Sequence, residues 1–152
     1  MINWRAVYGL ACCLAACGPV SAAHPGARAA AVGNITLRVE VTGVKSDRGR
    51  VHIDLCHQEE FLKDCPIAGD ARAVKGTTVV VLTNLLPGEY AVQAFHDENS
   101  NGKVDRALFG IPTEGVGFSN DAPIKLAPPK WSDAKFSLAA DKTITLKLRF
   151  FL

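Results

Sequence analysis

The chain has 152 residues, of which 48% are hydrophobic and 21% are charged. This composition predicts a single domain with a packed core and excludes an intrinsically disordered chain. The net charge of +2 is spread along the chain without a basic run, which excludes the electrostatic footprint of a nucleic-acid-binding protein. After residue 23 no segment approaches the roughly 20 apolar residues that cross a bilayer, so no transmembrane segment is expected.

Residues 1–23 are predicted to be a secretory signal peptide, because "MINWR" carries one positive charge and precedes the uncharged stretch "AVYGLACCLAA". Cleavage after Ala23, with Ser21 as the second small residue, would release a periplasmic or secreted protein. Alternatively, "LAAC" resembles a bacterial lipobox, and cleavage there would leave a lipoprotein anchored through Cys17. Both alternatives place the domain outside the cytoplasm.

Only two cysteines remain after cleavage at Ala23, namely Cys56 and Cys65. In an oxidising compartment such a pair predicts one structural disulfide. The closed loop is short, so the expected stabilisation is about 2–3 kcal/mol. A redox-active dithiol is the alternative, but the spacing is not C-x-x-C and no basic neighbour is present to lower a thiol pKa.

The mature chain is predicted to begin with a flexible lead-in over residues 24–33, followed by one β-domain over residues 34–152. "NITLRVEVTGV" alternates apolar and polar residues with a period of two, which predicts a strand with one solvated face. "RVHIDLCH" has the same alternation after the turn "SDRG". We therefore expect these two strands to form a β-hairpin.

Three further strands are predicted in "GTTVVVLTNL", "EYAVQAFH" and "KTITLKLRF". The turn "LPGEY" predicts a type II turn, in which Gly88 takes a positive φ. "QEEFLKDCP" is expected to be an irregular connection or one helical turn. Antiparallel strands with one wet face require a second sheet to cover the other, so the fold class is all-β, an antiparallel immunoglobulin-like β-sandwich.

The strand pattern disappears between residues 97 and 134, a stretch rich in Gly, Pro, Asn and Asp. A segment of this length inside a compact domain is usually either functional or disordered. Its apolar residues favour a long ordered loop lobe pinned to one end of the sandwich. The expected anchors are Phe109, Ile111, Val116, Phe118 and Trp131.

The stretch "HDENSNGKVD" at the start of this lobe matches part of a calcium-binding loop. Loops of the EF-hand type supply oxygens from positions 1, 3, 5, 7 and 9, with glycine at position 6. Those positions are here Asp97, Asn99, Asn101, Lys103, Asp105 and, for the glycine, Gly102. Position 12, normally a bidentate glutamate, is Leu108. Glu114 is the candidate to fold back and complete the shell, and Asp121 is a poorer one.

An all-oxygen ligand set on an adaptable loop favours Ca²⁺, with a weak affinity of about 10⁻⁴–10⁻³ M. The same composition also suits a metal-free loop, because Asn and Asp side chains cap turns by bonding to nearby backbone amides. Both interpretations stay open at this point.

Phe109, Phe118 and Trp131 are the candidate binding residues. Aromatic side chains on a sandwich loop either form a platform for a protein or glycan partner or hold the loop against the domain. The sequence contains no legible catalytic triad, since Ser119 in "GFSN" is not in a nucleophile elbow. We therefore expect no enzymatic activity.

Three segments of the chain resemble an uncharacterised bacterial family, the domain of unknown function 2141. Its members read L-P-P-G-x-Y, then H-D-x-N-x-N-G-x-x-D, then G-x-P-x-E-G-x-G-F-S-N. The matching segments here are residues 86–90, 96–105 and 110–120, and "APPKWSDAKFSL" continues the likeness. Two departures, Leu86 for a proline and Ser100 for a common glycine, affect no candidate ligand.

The resemblance implies export in bacteria and a sandwich related to transthyretin-like modules, but it implies no substrate. The predicted function is an exported, non-catalytic envelope module that binds an unknown protein or glycan, its loop organised by Ca²⁺. One alternative is a metal-dependent hydrolase that uses the loop carboxylates. The other is a metal-free interaction module whose partner docks on the aromatic side chains.

Overall fold

The computed structural model describes residues 33–125 and 127–151. The predicted signal peptide, the lipobox Cys17 and all of the predicted lead-in except Gly33 lie outside these residues. No helix within the described residues is long and apolar enough to span a bilayer.

The described chain contains eight strands, one short helix and two 3-10 turns. The strands are β1 (Ile35–Val44), β2 (Arg50–Cys56), β3 (Ile67–Arg72), β4 (Gly76–Leu85), β5 (Gly88–Asp97), β6 (Val116–Phe118), β7 (Phe136–Leu138) and β8 (Lys142–Lys147). The helix is α1 (Trp131–Ala134), and the 3-10 turns are Leu108–Gly110 and Ser119–Asp121.

These strands form two sheets. The first has the order β4-β1-β8, and the second has the order β3-β2-β5-β6, with β7 paired to the beginning of β5. Period-two alternation places one face of each sheet inward, where Leu37 and Val39 from the first sheet and Ile53 and Leu55 from the second are fully buried. The predicted all-β sandwich is therefore confirmed.

The predicted hairpin between β1 and β2 is wrong. β1 pairs with β4 and β8, whereas β2 pairs with β3 and β5 in the other sheet. Both strands have a continuous apolar face, and the fold buries these faces in one core from opposite sheets. The connection between the strands crosses from one sheet to the other. Gly43, near the end of β1, and Gly49, directly before β2, have left-handed conformations (φ 79° and 68°).

Several other strand predictions also need correction. β1 and β8 are parallel, so the sandwich is not wholly antiparallel. Gly88 does not have a positive φ, and the left-handed residue near this turn is Asn84 (φ 60°). The predicted irregular stretch after β2 is followed by the strand β3, and the loop lobe contains the short strand β6.

A second, smaller hydrophobic cluster lies on the outer side of the second sheet. Cys56 and Cys65 form the predicted disulfide, which closes the turn that follows β2. Next to it, the Phe61 ring packs edge-to-face against Phe118 at 5.8 Å and against Trp131 at 5.6 Å, centroid to centroid. These three rings pack α1 and the turn that the disulfide closes against β6 of the sheet.

Candidate functional site

The loop that follows β5 is organised around the carboxylate of Asp97. This side chain is fully buried. Its Oδ1 accepts a hydrogen bond from the backbone N–H of Asn101 at 3.0 Å, and its Oδ2 accepts one from Gly102 at 2.9 Å. Gly102 has a φ of 75° and takes the left-handed conformation that closes the turn. A buried carboxylate thus fixes the turn through two backbone amides.

The other polar side chains of the loop bond to one another and to the backbone. Nδ2 of Asn99 donates to Asp105 Oδ2 at 2.7 Å, and Nδ2 of Asn101 donates to Asp105 Oδ1 at 2.9 Å. The side-chain oxygens of Asn99 and Asn101 accept the N–H groups of Asn101 and Lys103, respectively. The side chains of the loop thus cap its own backbone.

Glu114 folds back onto this loop from the far end of the lobe. Its Oε1 accepts the N–H of Glu98 at 3.1 Å, and its Oε2 accepts the N–H of Asp105 at 3.0 Å. The side chain is buried, with 8% of its surface exposed. Asp121, by contrast, lies elsewhere, with its Oδ1 on the N–H of Lys147. The structure therefore brings Glu114, but not Asp121, to the predicted loop.

The six predicted metal residues lie in one neighbourhood, but not as a ready cage. In the described part of the chain, no three His, Cys, Asp or Glu side chains are grouped so that they share an ion. The Asp97 carboxylate also lies near a cation, since Arg50 Nε is 3.8 Å from its Oδ2. The ligands of an ion in this loop would be the Asp and Asn side chains, Glu114 and the Lys103 carbonyl. The side chains bond here to backbone N–H groups and to one another.

The three predicted aromatic binding residues do not form one platform. Phe118 and Trp131 pack with Phe61 and are partly buried, as expected for anchors. Phe109 is 98% exposed, so the prediction that it pins the lobe is wrong, and Ile111 is 39% exposed. The turn at residues 107–111 is closed by its own backbone bonds, which leaves the Phe109 side chain outside the core.

The turn that presents Phe109 has a strained backbone. Phe109 has a φ of 63°, a conformation that bulky side chains rarely adopt, and Gly110 follows with a φ of 73°. Arg106 holds the turn closed by donating from Nη1 to the carbonyl of Gly110 at 2.9 Å. The strained backbone is thus held in a fixed turn at the edge of a cavity.

That cavity is an apolar cleft of about 520 Å³ on the outer face of the second sheet. Outward-facing residues of β5 and β6 line it, notably Phe95, Val116 and Phe118. Two segments of the lobe also line it, namely residues 109–112 and residues 124, 125, 127 and 128. The outer face of a sandwich sheet is usually solvated and polar. Here the lobe converts part of it into a mainly apolar cleft.

The charged groups of the cleft are unevenly arranged. Arg106 and Lys125 are exposed and line it. Asp54 is the carboxylate that lines it, and this carboxylate is already bound by Gln93 Nε2 at 3.0 Å and by the His52 ring at 3.1 Å. The accessible charge of the cleft is therefore positive.

His52 lies between two carboxylates on the same outer face. Its Nε2 is 3.1 Å from Asp54 Oδ1, and its Nδ1 is 2.9 Å from Asp70 Oδ1. The hydrogen bond to Asp54, reinforced by that to Asp70 and opposed by burial, raises the pKa of His52 to about 9. A ring that stays protonated in this way offsets the negative charge of the two carboxylates, of which Asp54 lines the cleft.

A bacterial family described as "Uncharacterized protein conserved in bacteria (DUF2141)" matches residues 39–146, most of the chain. The chain belongs to this DUF2141 family. The resemblance inferred from the motifs is thereby confirmed. No curated protein and no solved structure matches this DUF2141 protein in the corresponding searches.

Sequence reasoning found the loop of this DUF2141 protein but missed its cleft. The alternation of Arg50, His52 and Asp54 in β2 predicts a row of polar side chains on the outer face of the sheet. The cleft itself depends on β6 and on the path of residues 104–112, and no periodic pattern encodes either of them. Arg106 and Gln93 acquire their roles only through this tertiary arrangement.

Proposed function

We propose that this DUF2141 protein is a non-catalytic binding module of the bacterial cell envelope, and that its cleft holds a ligand with an apolar body and an acidic group. The observation that carries the proposal is the apolar cleft on an outer sheet face, lined also by Arg106 and Lys125. A few polar groups on mostly apolar walls are typical of ligand sites. An apolar body with an acidic group defines this ligand, whether it is a free small molecule or part of an envelope protein or glycan.

The envelope location is supported by two features. The Cys56–Cys65 disulfide is the kind of bond that persists in oxidising compartments, and the family is bacterial. Together with the predicted signal peptide, these features favour a periplasmic or secreted protein, with lipid anchoring through Cys17 as the alternative.

Two fluorescent probes with the same apolar body test the cleft. Anilinonaphthalene sulfonate carries an acidic group, and phenylnaphthylamine lacks it. We expect the anionic probe to bind about 2- to 5-fold more tightly, the range of an exposed charge pair, and Arg106→Gln to reduce that preference. Ile111→Asp, which adds a charge to the apolar lining, is expected to weaken binding of both probes in a fluorescence titration.

Val74→Asp is the matched control, since Val74 is 53% exposed and is not among the residues that line the cleft. It should bind both probes like the parent protein. Equal binding by the parent protein and Ile111→Asp would contradict a ligand site in the cleft. Equal affinities of the two probes would contradict the acidic group.

We further propose that Ca²⁺ organises the loop beside the cleft. The observation that favours this role is the return of Glu114 to the loop, which supplies the carboxylate missing from position 12. A carboxylate oxygen has two lone pairs, so Asp97 and Glu114 can each keep a backbone N–H and still face a cation. The amide oxygens of Asn99 and Asn101, which accept backbone N–H groups, would also contact the ion, and Asp105 would exchange the bonds from their Nδ2 groups for a contact with it.

Thermal melts in Ca²⁺ and in EDTA test this role. At about 10 mM Ca²⁺ and a dissociation constant of about 1 mM, native-state binding contributes about 1.4 kcal/mol. We expect the midpoint to rise by several degrees, and the rise to disappear in Asp105→Ala. Asp64→Ala, at an exposed aspartate outside the loop, should retain the rise.

Identical midpoints in Ca²⁺ and EDTA would contradict a calcium role and leave a loop that caps itself. Hydrolytic turnover that requires the metal would instead favour the alternative of a metal-dependent hydrolase. Equal concentrations of Mg²⁺ serve as the control for ionic strength, since Mg²⁺ demands a stricter octahedral geometry.

A further inference from the structure

Within residues 33–125 and 127–151, the strand β4 forms one edge of the first sheet and pairs with β1 alone. It spans ten residues, GTTVVVLTNL, and contains no charged residue and no proline. An edge strand presents a row of backbone N–H and C=O groups that can accept another strand. Long, uncharged edge strands rich in β-branched residues are the ones most prone to such pairing.

The other edge strands in the described chain are protected, including β7, which has only three residues. β3 carries Asp70 and Arg72. β8 begins and ends with lysine, and the N–H of Lys147 is bonded by Asp121. β6 has only three residues, and its Val116 is bridged to Arg149. Charges, short length and covering are the usual means of preventing edge pairing. From Thr77 to Leu82 the described β4 has none of them; a register shift follows between Leu82 and Leu85, where Asn84 is exposed and left-handed (φ 60°).

The outward-facing side chains of β4 have a symmetrical order, namely Thr77, Val79, Val81 and Thr83. Thr78, Val80 and Leu82 alternate with them and are buried in the core. Val81 is 49% exposed, an apolar surface on a face that is otherwise polar. On the adjacent β1, the facing residues Arg38 and Glu40 form an ion pair, so they present no net charge beside the valines.

We propose that β4 pairs antiparallel with β4 of a second copy of this chain, so that the two three-stranded sheets become one six-stranded sheet. A two-fold axis at Val80 would set Val79 opposite Val81 of the partner subunit. The same axis would set Thr77 opposite Thr83 of the partner subunit. Val–Val and Thr–Thr pairs are favourable cross-strand pairs, so the strand is complementary to itself.

This pairing uses the first sheet, whereas the proposed ligand cleft lies on the outer face of the second sheet. The inference is therefore independent of the proposed binding function. A symmetrical partner also explains why this edge lacks the charged residues that protect the others, because a charge near the two-fold axis would face its own copy.

Sedimentation velocity over a concentration series tests the pairing. The parent protein is expected to sediment as a dimer at high concentration and to dissociate on dilution. Val81→Lys places two like charges across the axis and is expected to raise the dimer dissociation constant at least 10-fold. Val74→Lys, the same change at a valine with 53% exposure outside β4, should leave it unchanged. Circular dichroism verifies that both variants are folded.

The register is tested by oxidative cross-linking of single-cysteine additions. A mixture of Val79→Cys and Val81→Cys proteins should give more covalent dimer than either protein alone, because the two positions oppose each other. A parent protein that remains monomeric at millimolar concentration would overturn the proposal, even if β4 accepts a strand of another protein. A dimer that Val81→Lys does not weaken, or cross-linking that is equal in all three samples, would also overturn it.

Discussion

Replacement of Asp97 by alanine is expected to lower the free energy of unfolding by about 2–4 kcal/mol, because it removes a buried charged acceptor from two backbone amides. The N–H groups of Asn101 and Gly102 lose their partners, and Arg50 loses the carboxylate near its Nε. Urea unfolding followed by tryptophan fluorescence in EDTA measures this effect without any contribution from bound calcium.

The environment of Asp97 makes relaxation around the substitution difficult. Gly49 packs so closely that a Cβ at this position would collide with the backbone oxygen of Asp97. The neighbouring His96 is also fully buried, with its Nε2 at 2.9 Å from the carbonyl of Arg48. Asp64→Ala is the control and should change stability by less than about 0.5 kcal/mol, as exposed substitutions usually do. A similarly small loss in Asp97→Ala would show that the carboxylate does not hold the loop.

The stability of the folded protein is expected to fall as the pH rises from about 6.5 to about 9, because of His52. Its pKa is raised in the folded state, chiefly by the hydrogen bond to Asp54, so folding favours the protonated ring. The contribution is fully present below the unfolded pKa of about 6.5 and is lost as the pH passes through about 9. Its expected size is on the order of 1–3 kcal/mol.

This effect is measured by urea unfolding curves between about pH 6 and about pH 9, the range over which the contribution of His52 changes. His52→Gln should remove the decrease in this window, because glutamine keeps a polar side chain but does not titrate. Arg50, with its Nη1 at 3.9 Å from Asp70, is the neighbouring cation. Stability that is constant or increases over this range in the parent protein would contradict a protonated His52.

The sequence predicted which residues face inward far better than which strands are neighbours. The alternation in β1 and β2 specified their buried faces correctly, since period two is a local property of the chain. The pairing of β1 with β4 and β8 is a property of the whole sandwich, and it overrode the preference for a local hairpin. The same limit explains β3, whose sequence IAGDAR has little β-branched character and pairs because β2 offers it an edge.

The candidate site, too, was predicted where it depends on local bonds and missed where it depends on the tertiary arrangement. The Asp97 loop was visible because Asn, Asp and Gly at fixed spacing specify a turn through local bonds. The return of Glu114 was predictable as the nearest missing carboxylate. The exposed Phe109 was not, because hydrophobicity alone predicts burial, whereas the turn at residues 107–111 holds this side chain outside the core.

The most direct test of the proposed ligand site is to locate the bound anionic probe by amide chemical-shift mapping in solution. Occupation of the cleft predicts that the largest shifts fall on Phe95, Ile111 and Val116, which line it, and that Val79 and Val81 of β4 are unaffected. Shifts concentrated on β4 or scattered over the surface would contradict a binding module that uses this cleft.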